Sequence, residues 1–233
     1  MLLFVGIAMF LLLKQHQSVG ILKHKADSYS ESIVDSAPEN IPDYSGKDYV
    51  KLNGNQPCFT DYDFSYITGE NYSELDYLGR CGTATVMLDR SMMPTEERGS
   101  IGEIKPTGWV QEKYPGIVDS EPPYLYNRCH LIAYALTGQN ANEKNLITGT
   151  RYFNVEGMLP FEELVMRYLD NSENHVLYRV SPYFKDDELL ARGVEMEACS
   201  IEDNGEGICF HVFVYNIQPR IVLNYKTGEN SVE

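Results

Sequence analysis

The stretch Tyr124–Asp170, YLYNRCHLIAYALTGQNANEKNLITGTRYFNVEGMLPFEELVMRYLD, decides the fold. On an extended backbone Arg128 and His130 face one side and Cys129 the other, because side chains alternate along a strand. The end of the stretch reads as a helix. Pro160 suits its first turn, and Phe161, Leu164, Val165, Tyr168 and Leu169 recur at i, i+3, i+4, i+7 spacing. Asn142, Asn145 and Asn154 lie between, and Glu162 falls in the first helical turn. A neutral imidazole can take a proton from water, since its ordinary pKa is about 6.5. A neighbouring guanidinium can grip a phosphate. Carboxamide and carboxylate oxygens are hard donors suited to a hydrated Mg²⁺. That combination points to phosphodiester hydrolysis.

Downstream, three segments alternate apolar and polar residues as strands do. His175–Phe184 alternates through Val176, Tyr178 and Val180; Gly193–Ile201 through Val194, Met196 and Ala198; Ile208–Ile217 through Phe210, Val212 and Val214. Asn204-Gly205 supplies a hairpin turn before the last. Upstream, Gly79–Arg90 reads as a strand, and Ser91–Pro123, with five of the eleven prolines, reads as loop. Strands on both sides of one or two helices predict an α+β domain.

The 233 residues are 43% hydrophobic and 23% charged, ordinary for a folded globular chain. Lys plus Arg is 19 and Asp plus Glu is 34, a net charge of −15. This excludes a protein that holds nucleic acid by bulk charge. It leaves room for a small site that meets phosphate through a metal ion and one or two arginines. The five cysteines (58, 81, 129, 199, 209) lack the short couples of a structural zinc site. One pair could be a disulfide if the domain lies outside the cell; otherwise they read as small buried hydrophobes.

Met1–Leu13 is an unbroken apolar run. As a helix it would reach roughly 20 Å at about 1.5 Å per residue, short of a ~30 Å membrane core. The expected organisation is an N-terminal signal or anchor segment over 1–20, a polar acidic linker over 21–56, and a globular domain over 57–233.

Several blocks in order resemble the DNA/RNA non-specific endonuclease family, the ββα-metal or His-Me finger nucleases, in their streptodornase-like branch. The family's Asp-Arg-Gly-His signature is present as Asn127-Arg128-Cys129-His130. The asparagine segment is present as Asn145 to Asn154, nine residues apart, and Glu162 matches the helix glutamate. LDYLGRCG (75–82), KPTGW (105–109) and the strands HVLYRVSPYF and FVYNIQP also match. The resemblance implies a ββα-metal finger on a central, mainly antiparallel sheet with flanking helices. It implies an endonuclease cutting DNA, and RNA as a second substrate, to leave 5′-phosphate ends, with one Mg²⁺ for which Mn²⁺ can substitute. It assigns His130 as general base, Asn154 as the direct metal ligand and Asn145 to help hold the site. Glu162 would orient metal-bound water, and Arg128 would stabilise the phosphate, with Arg98 or Lys105 as an additional phosphate contact.

The departures are Asn127 for Asp, which removes a carboxylate that could orient the histidine, and Cys129 for Gly, which adds bulk behind it. Cys129 as a nucleophile paired with His130 is poor geometry, because adjacent strand residues face opposite ways. His175 and His211, in alternating strands, read as structural. The expected location is extracellular, or membrane-anchored facing outside, with membrane contact at the N-terminus and no obligate protein partner. The competing reading is a catalytically weak, exported nucleic-acid-binding or adhesion module on the same fold.

Overall fold

The computed structural model describes residues 41–233. The apolar segment 1–20 and residues 21–40 of the expected linker lie outside the described residues. In chain order the regular elements are β1 (Tyr49–Lys51), α1 (Asp61–Tyr66), β2 (Glu70–Tyr72), β3 (Ala84–Leu88), β4 (Tyr126–His130), α2 (Tyr134–Thr137), β5 (Leu146–Thr150), α3 (Leu159–Asp170), β6 (Val176–Tyr183), β7 (Gly193–Ser200), β8 (Cys209–Tyr215), β9 (Ile221–Leu223) and β10 (Asn230–Val232).

Six strands form one antiparallel sheet in the order β1-β8-β7-β6-β3-β2. The alternation in the last three long strands is realised there. Val194, Met196 and Ala198 on β7 and Phe210, Val212 and Val214 on β8 are buried in a single core. Val176, Tyr178 and Val180 on β6 and Ala84, Val86 and Leu88 on β3 complete that face. Phe161, Val165 and Leu169 of α3 pack onto it, one turn apart. Leu164, expected on this face, is 42% exposed. Asn204 (φ 57°) and Gly205 (φ 78°) both take left-handed backbone in the β7–β8 turn, as an Asn-Gly hairpin turn requires.

Two expectations about boundaries are corrected. The strand expected over Gly79–Arg90 is confined to Ala84–Leu88. The residues before it form a turn tied by Asp76, whose carboxylate accepts from Leu78 N, Arg80 N and Arg80 Nε. The linker expected to run to residue 56 ends sooner. β1 pairs with β8 as an edge strand, Asp48 accepts a 2.9 Å hydrogen bond from Tyr152 Oη, and Pro42 O accepts one of 2.6 Å from Tyr215 Oη. A three-residue edge strand exposed on both ends carries no apolar alternation, so polarity alone reads as tether.

β4 and β5 stand apart as a two-stranded hairpin, with His130 opposite Leu146 and Tyr126 opposite Thr150. The helix that follows starts earlier than Pro160 suggests. It is continuous from residue 151, with a π-helical turn over Phe153–Met158 that runs into α3. Leu159 N donates to Asn154 O across that wide turn, and Pro160, which has no N–H, follows it. Gly157 lets the turn approach the sheet: a β-carbon there would lie 2.6 Å from Val214 Cγ1.

Candidate active site

The hairpin and the helix together wall an open cleft of about 770 Å³. Arg98, Arg128, His130, Arg151, Asn154 and Glu162 all line it. β4 places Arg128 and His130 on the cleft side, and Cys129, fully buried, on the other. Four of the five expected site residues are thus brought to one cavity; Asn145 is set behind it.

His130 is 6% exposed. Its Nε2 lies 2.8 Å from Asn140 O and its Nδ1 lies 3.2 Å from Arg98 Nη2. A carbonyl only accepts, so Nε2 carries the proton and donates to Asn140 O. Nδ1 is then the lone-pair nitrogen and accepts from Arg98. Burial lowers the His130 pKa to about 4; the Asn140 carbonyl opposes the fall and the Arg98 cation adds to it. The ring is neutral at pH 7, held in one tautomer.

Among the described residues, the ring's hydrogen-bond partners are Arg98 and Asn140, and Asn127 is not one of them. The backbone carbonyl of Asn140 orients it instead, so the expected consequence of losing a carboxylate at 127 does not arise through that contact. Cys129 is accommodated by Gly149 on the paired strand. A β-carbon at Gly149 would stand 2.6 Å from Cys129 Sγ and 2.5 Å from Phe153 Cδ1. The volume gained at 129 thus fills space above a glycine.

Asn145 is fully buried and its carboxamide is engaged. Oδ1 accepts from Ile132 N at 2.8 Å, and Nδ2 donates to Ile132 O at 2.9 Å. It clips the chain immediately after His130 to the start of β5 and so positions the imidazole from behind. Arg128 donates through Nε to Ile104 O and through Nη2 to Gly102 O (2.7 Å), and its guanidinium lies 4.2 Å from the Trp109 ring centroid. Two of its donor groups therefore anchor the 102–109 loop.

Of the two upstream cations, Arg98 reaches the cleft and Lys105 lines a different cavity, beside Glu103 and Glu143. Arg151 is a third cleft arginine that sequence reasoning missed. Its signal was its place in TGTRYFN, three residues before Asn154 on the same helical run.

Asn154, on the π turn, lines the cleft with no side-chain hydrogen bond to another described residue. Glu162, half-buried on α3, has its carboxyl pushed up to about 8 by burial, with Arg98 opposing and Glu163 adding. An unengaged carboxamide oxygen and a carboxylate short of positive charge suit a hard divalent cation.

A second cluster, Cys58, Glu197 and His211, lies on the opposite face of the sheet. Glu197 accepts from Cys58 N (2.6 Å) and Arg179 Nε (2.7 Å). His211 donates to Gln56 O (2.9 Å) and to Glu195. Burial alone would lower the His211 pKa, but Cys58, Glu195 and Glu197 push it up to about 10. With Asp63, which pairs with Arg179 at 3.4 Å, three carboxylates face an arginine and an imidazolium in an ion-paired network, in keeping with a structural His211.

Comparison with known proteins places these observations. The family model described as DNA/RNA non-specific endonuclease matches residues 60–201. A deoxyribonuclease of Streptococcus dysgalactiae subsp. equisimilis is 33% identical over 111 residues, 45% of this chain; the match spans 32% of that longer relative. NucA from Streptococcus agalactiae with a magnesium ion bound is 27% identical, with a TM-score of 0.70 over 83% of this chain and 91% of that one. The Sda1 nuclease with a bound zinc ion is 27% identical, with a TM-score of 0.60 over 72% of this chain and 83% of that one.

Proposed function

Because this chain belongs to the DNA/RNA non-specific endonuclease family, we propose that it cuts phosphodiester bonds within DNA, and within RNA as a second substrate, using a divalent cation. Asn154 would hold the ion directly, and Glu162 would hydrogen-bond and orient its water. Magnesium suits these oxygen donors, with manganese as a substitute; the magnesium-bound NucA relative supports that choice. When bound, the ion supplies Lewis acidity to the phosphate and shields the charge growing on the leaving 3′ oxygen.

The observation that carries this reading is the single-tautomer imidazole of His130 in the same cleft as Asn154 and Glu162. Nδ1 takes the proton from the attacking water, while Nε2–H stays on Asn140 O. The arriving phosphate is a stronger acceptor for Arg98 than a neutral ring nitrogen, which frees Nδ1 for that transfer. Arg98, Arg151 and the remaining donor of Arg128 meet the charge on the phosphate as it grows. Cleavage at the 3′ oxygen leaves the phosphate on the 5′ end. Contacts to phosphate and sugar carry no base information, so sequence preference is weak. The chain is read as acting outside the cytoplasm, with segment 1–20 as its signal or anchor.

A plasmid-nicking assay tests the reading. Mg²⁺ should support nicking, EDTA should abolish it, and His130→Ala should slow it by about 10²–10⁴-fold. Nicking by His130→Ala at the rate of the unmutated protein rejects the assignment of the base. No nicking by the intact protein favours a binding module on this fold.

A further inference from the structure

The β7–β8 hairpin brings two cysteines face to face. Cys199 and Cys209 are direct cross-strand partners, eleven residues end to end around the Asn204-Gly205 turn. Ser200 N donates to Ile208 O at 2.9 Å, so residues 200 and 208 are a hydrogen-bonded pair. Cys199 and Cys209, one step along, are therefore a non-hydrogen-bonded pair, whose Cα atoms lie about 4.5 Å apart and whose side chains are closest. That separation falls inside the ~4.4–6.8 Å range a disulfide spans.

The turn glycine limits how far apart the sulfurs can be. A β-carbon on Gly205 would lie 3.1 Å from Cys199 Sγ and 3.5 Å from Cys209 Sγ, so both sulfurs border one point in space. Neither side chain is sealed in the core; both residues are half-exposed. They differ in this from Cys81 and Cys129, which are buried within the core. Cys58 is held elsewhere on that sheet face, with its sulfur 3.8 Å from His211 Nδ1.

We propose that Cys199 and Cys209 are an oxidation site that closes into a disulfide and staples the β7–β8 hairpin when the protein meets a disulfide-bearing oxidant. One thiolate attacks the oxidant's S–S bond to form a mixed disulfide and releases a thiol. The second thiolate then displaces the oxidant's remaining sulfur. Two thiol protons are lost, two electrons pass to the oxidant, and one S–S bond is exchanged for another. The linkage matters to the site because β8 supports the active-site helix: Val214 packs where Gly157 of the π turn approaches.

The full chain, treated with oxidised glutathione and then alkylated, tests this. The expected product is lighter by about 2 Da before alkylation, retains three alkylatable thiols of the five, and yields a peptide pair joining 199 to 209. Its thermal midpoint rises by several degrees and falls back on reduction. Cys199→Ser and Cys209→Ser each remove the rise, and Cys58→Ser keeps it. A 58–209 or 58–199 link, stable glutathione adducts on the single cysteines, or five thiols still alkylatable would each overturn the proposal. Peptide mapping of the unmutated chain makes the outcome independent of how the variants fold.

Discussion

His130 is poised by a backbone carbonyl, which no side-chain motif records. A free imidazole titrates at about 6.5, but this one is held near 4 by burial and the Arg98 cation. NMR titration of the protein without added metal should place the His130 midpoint near pH 4, and Arg98→Ala should move it upward by removing a repelling charge. A midpoint unchanged by Arg98→Ala would show that the cation does not act on the ring. His130→Ala should lower turnover by about 10²–10⁴-fold, the usual worth of a general base. Arg128 and Asn154 were legible as residues of the right type in the right order. Arg151 and Asn140 were not, because one is an ordinary charge in sequence and the other acts through its main chain.

At the scale of elements, the hairpin of β4 and β5 and the helix after it wall the site. Asn145, just before β5, closes the hairpin by pairing both polar groups of Ile132, just after β4. Asn145→Ala should leave a buried N–H and a buried C=O unmet, a loss of about 1–3 kcal/mol in urea unfolding. Turnover should fall as well, since the residue clipped lies two positions after His130. Full activity with lost stability would reduce Asn145 to a purely architectural part. Gly149→Ala places a methyl against Cys129 and Phe153 and should cost about 1–3 kcal/mol through overpacking. An unchanged urea midpoint would show that the strand gives way freely. The helix itself was legible from its apolar period, but its true start was not. The π turn that carries Asn154 is fixed by packing against β8, not by local propensity.

For the whole molecule, charge and pH set the outer limits. Three arginines line the cleft of a chain with net charge −15. Substrate affinity should therefore fall with salt at a log–log slope of roughly 3 or less in magnitude, set by the few phosphates neutralised. A slope several times steeper would point to a far larger basic footprint. The two buried histidines act in opposite senses. His130 has a folded pKa below its unfolded one, so its contribution is lost as pH falls from about 6.5 toward 4. His211 has a folded pKa raised to about 10, so its contribution is complete below about 6.5 and is lost as pH rises through 10. Thermal midpoints should decline from pH 7 to 10, and His211→Gln should flatten that decline; an equal slope in both proteins would remove His211 as its source.

The sequence by itself determined the strands of the main sheet, the helix face packed on them, and the types of residue the chemistry needs. Those follow from period and composition, which act over a few neighbouring residues. Only the tertiary structure decided that Arg98 rather than Lys105 reaches the cleft, that the Asn140 carbonyl holds the His130 ring, and that residues 41–56 belong to the fold. Each of these joins parts of the chain that are distant in sequence or act through the backbone. Side-chain pattern carries no trace of such contacts until packing brings the groups within hydrogen-bonding reach.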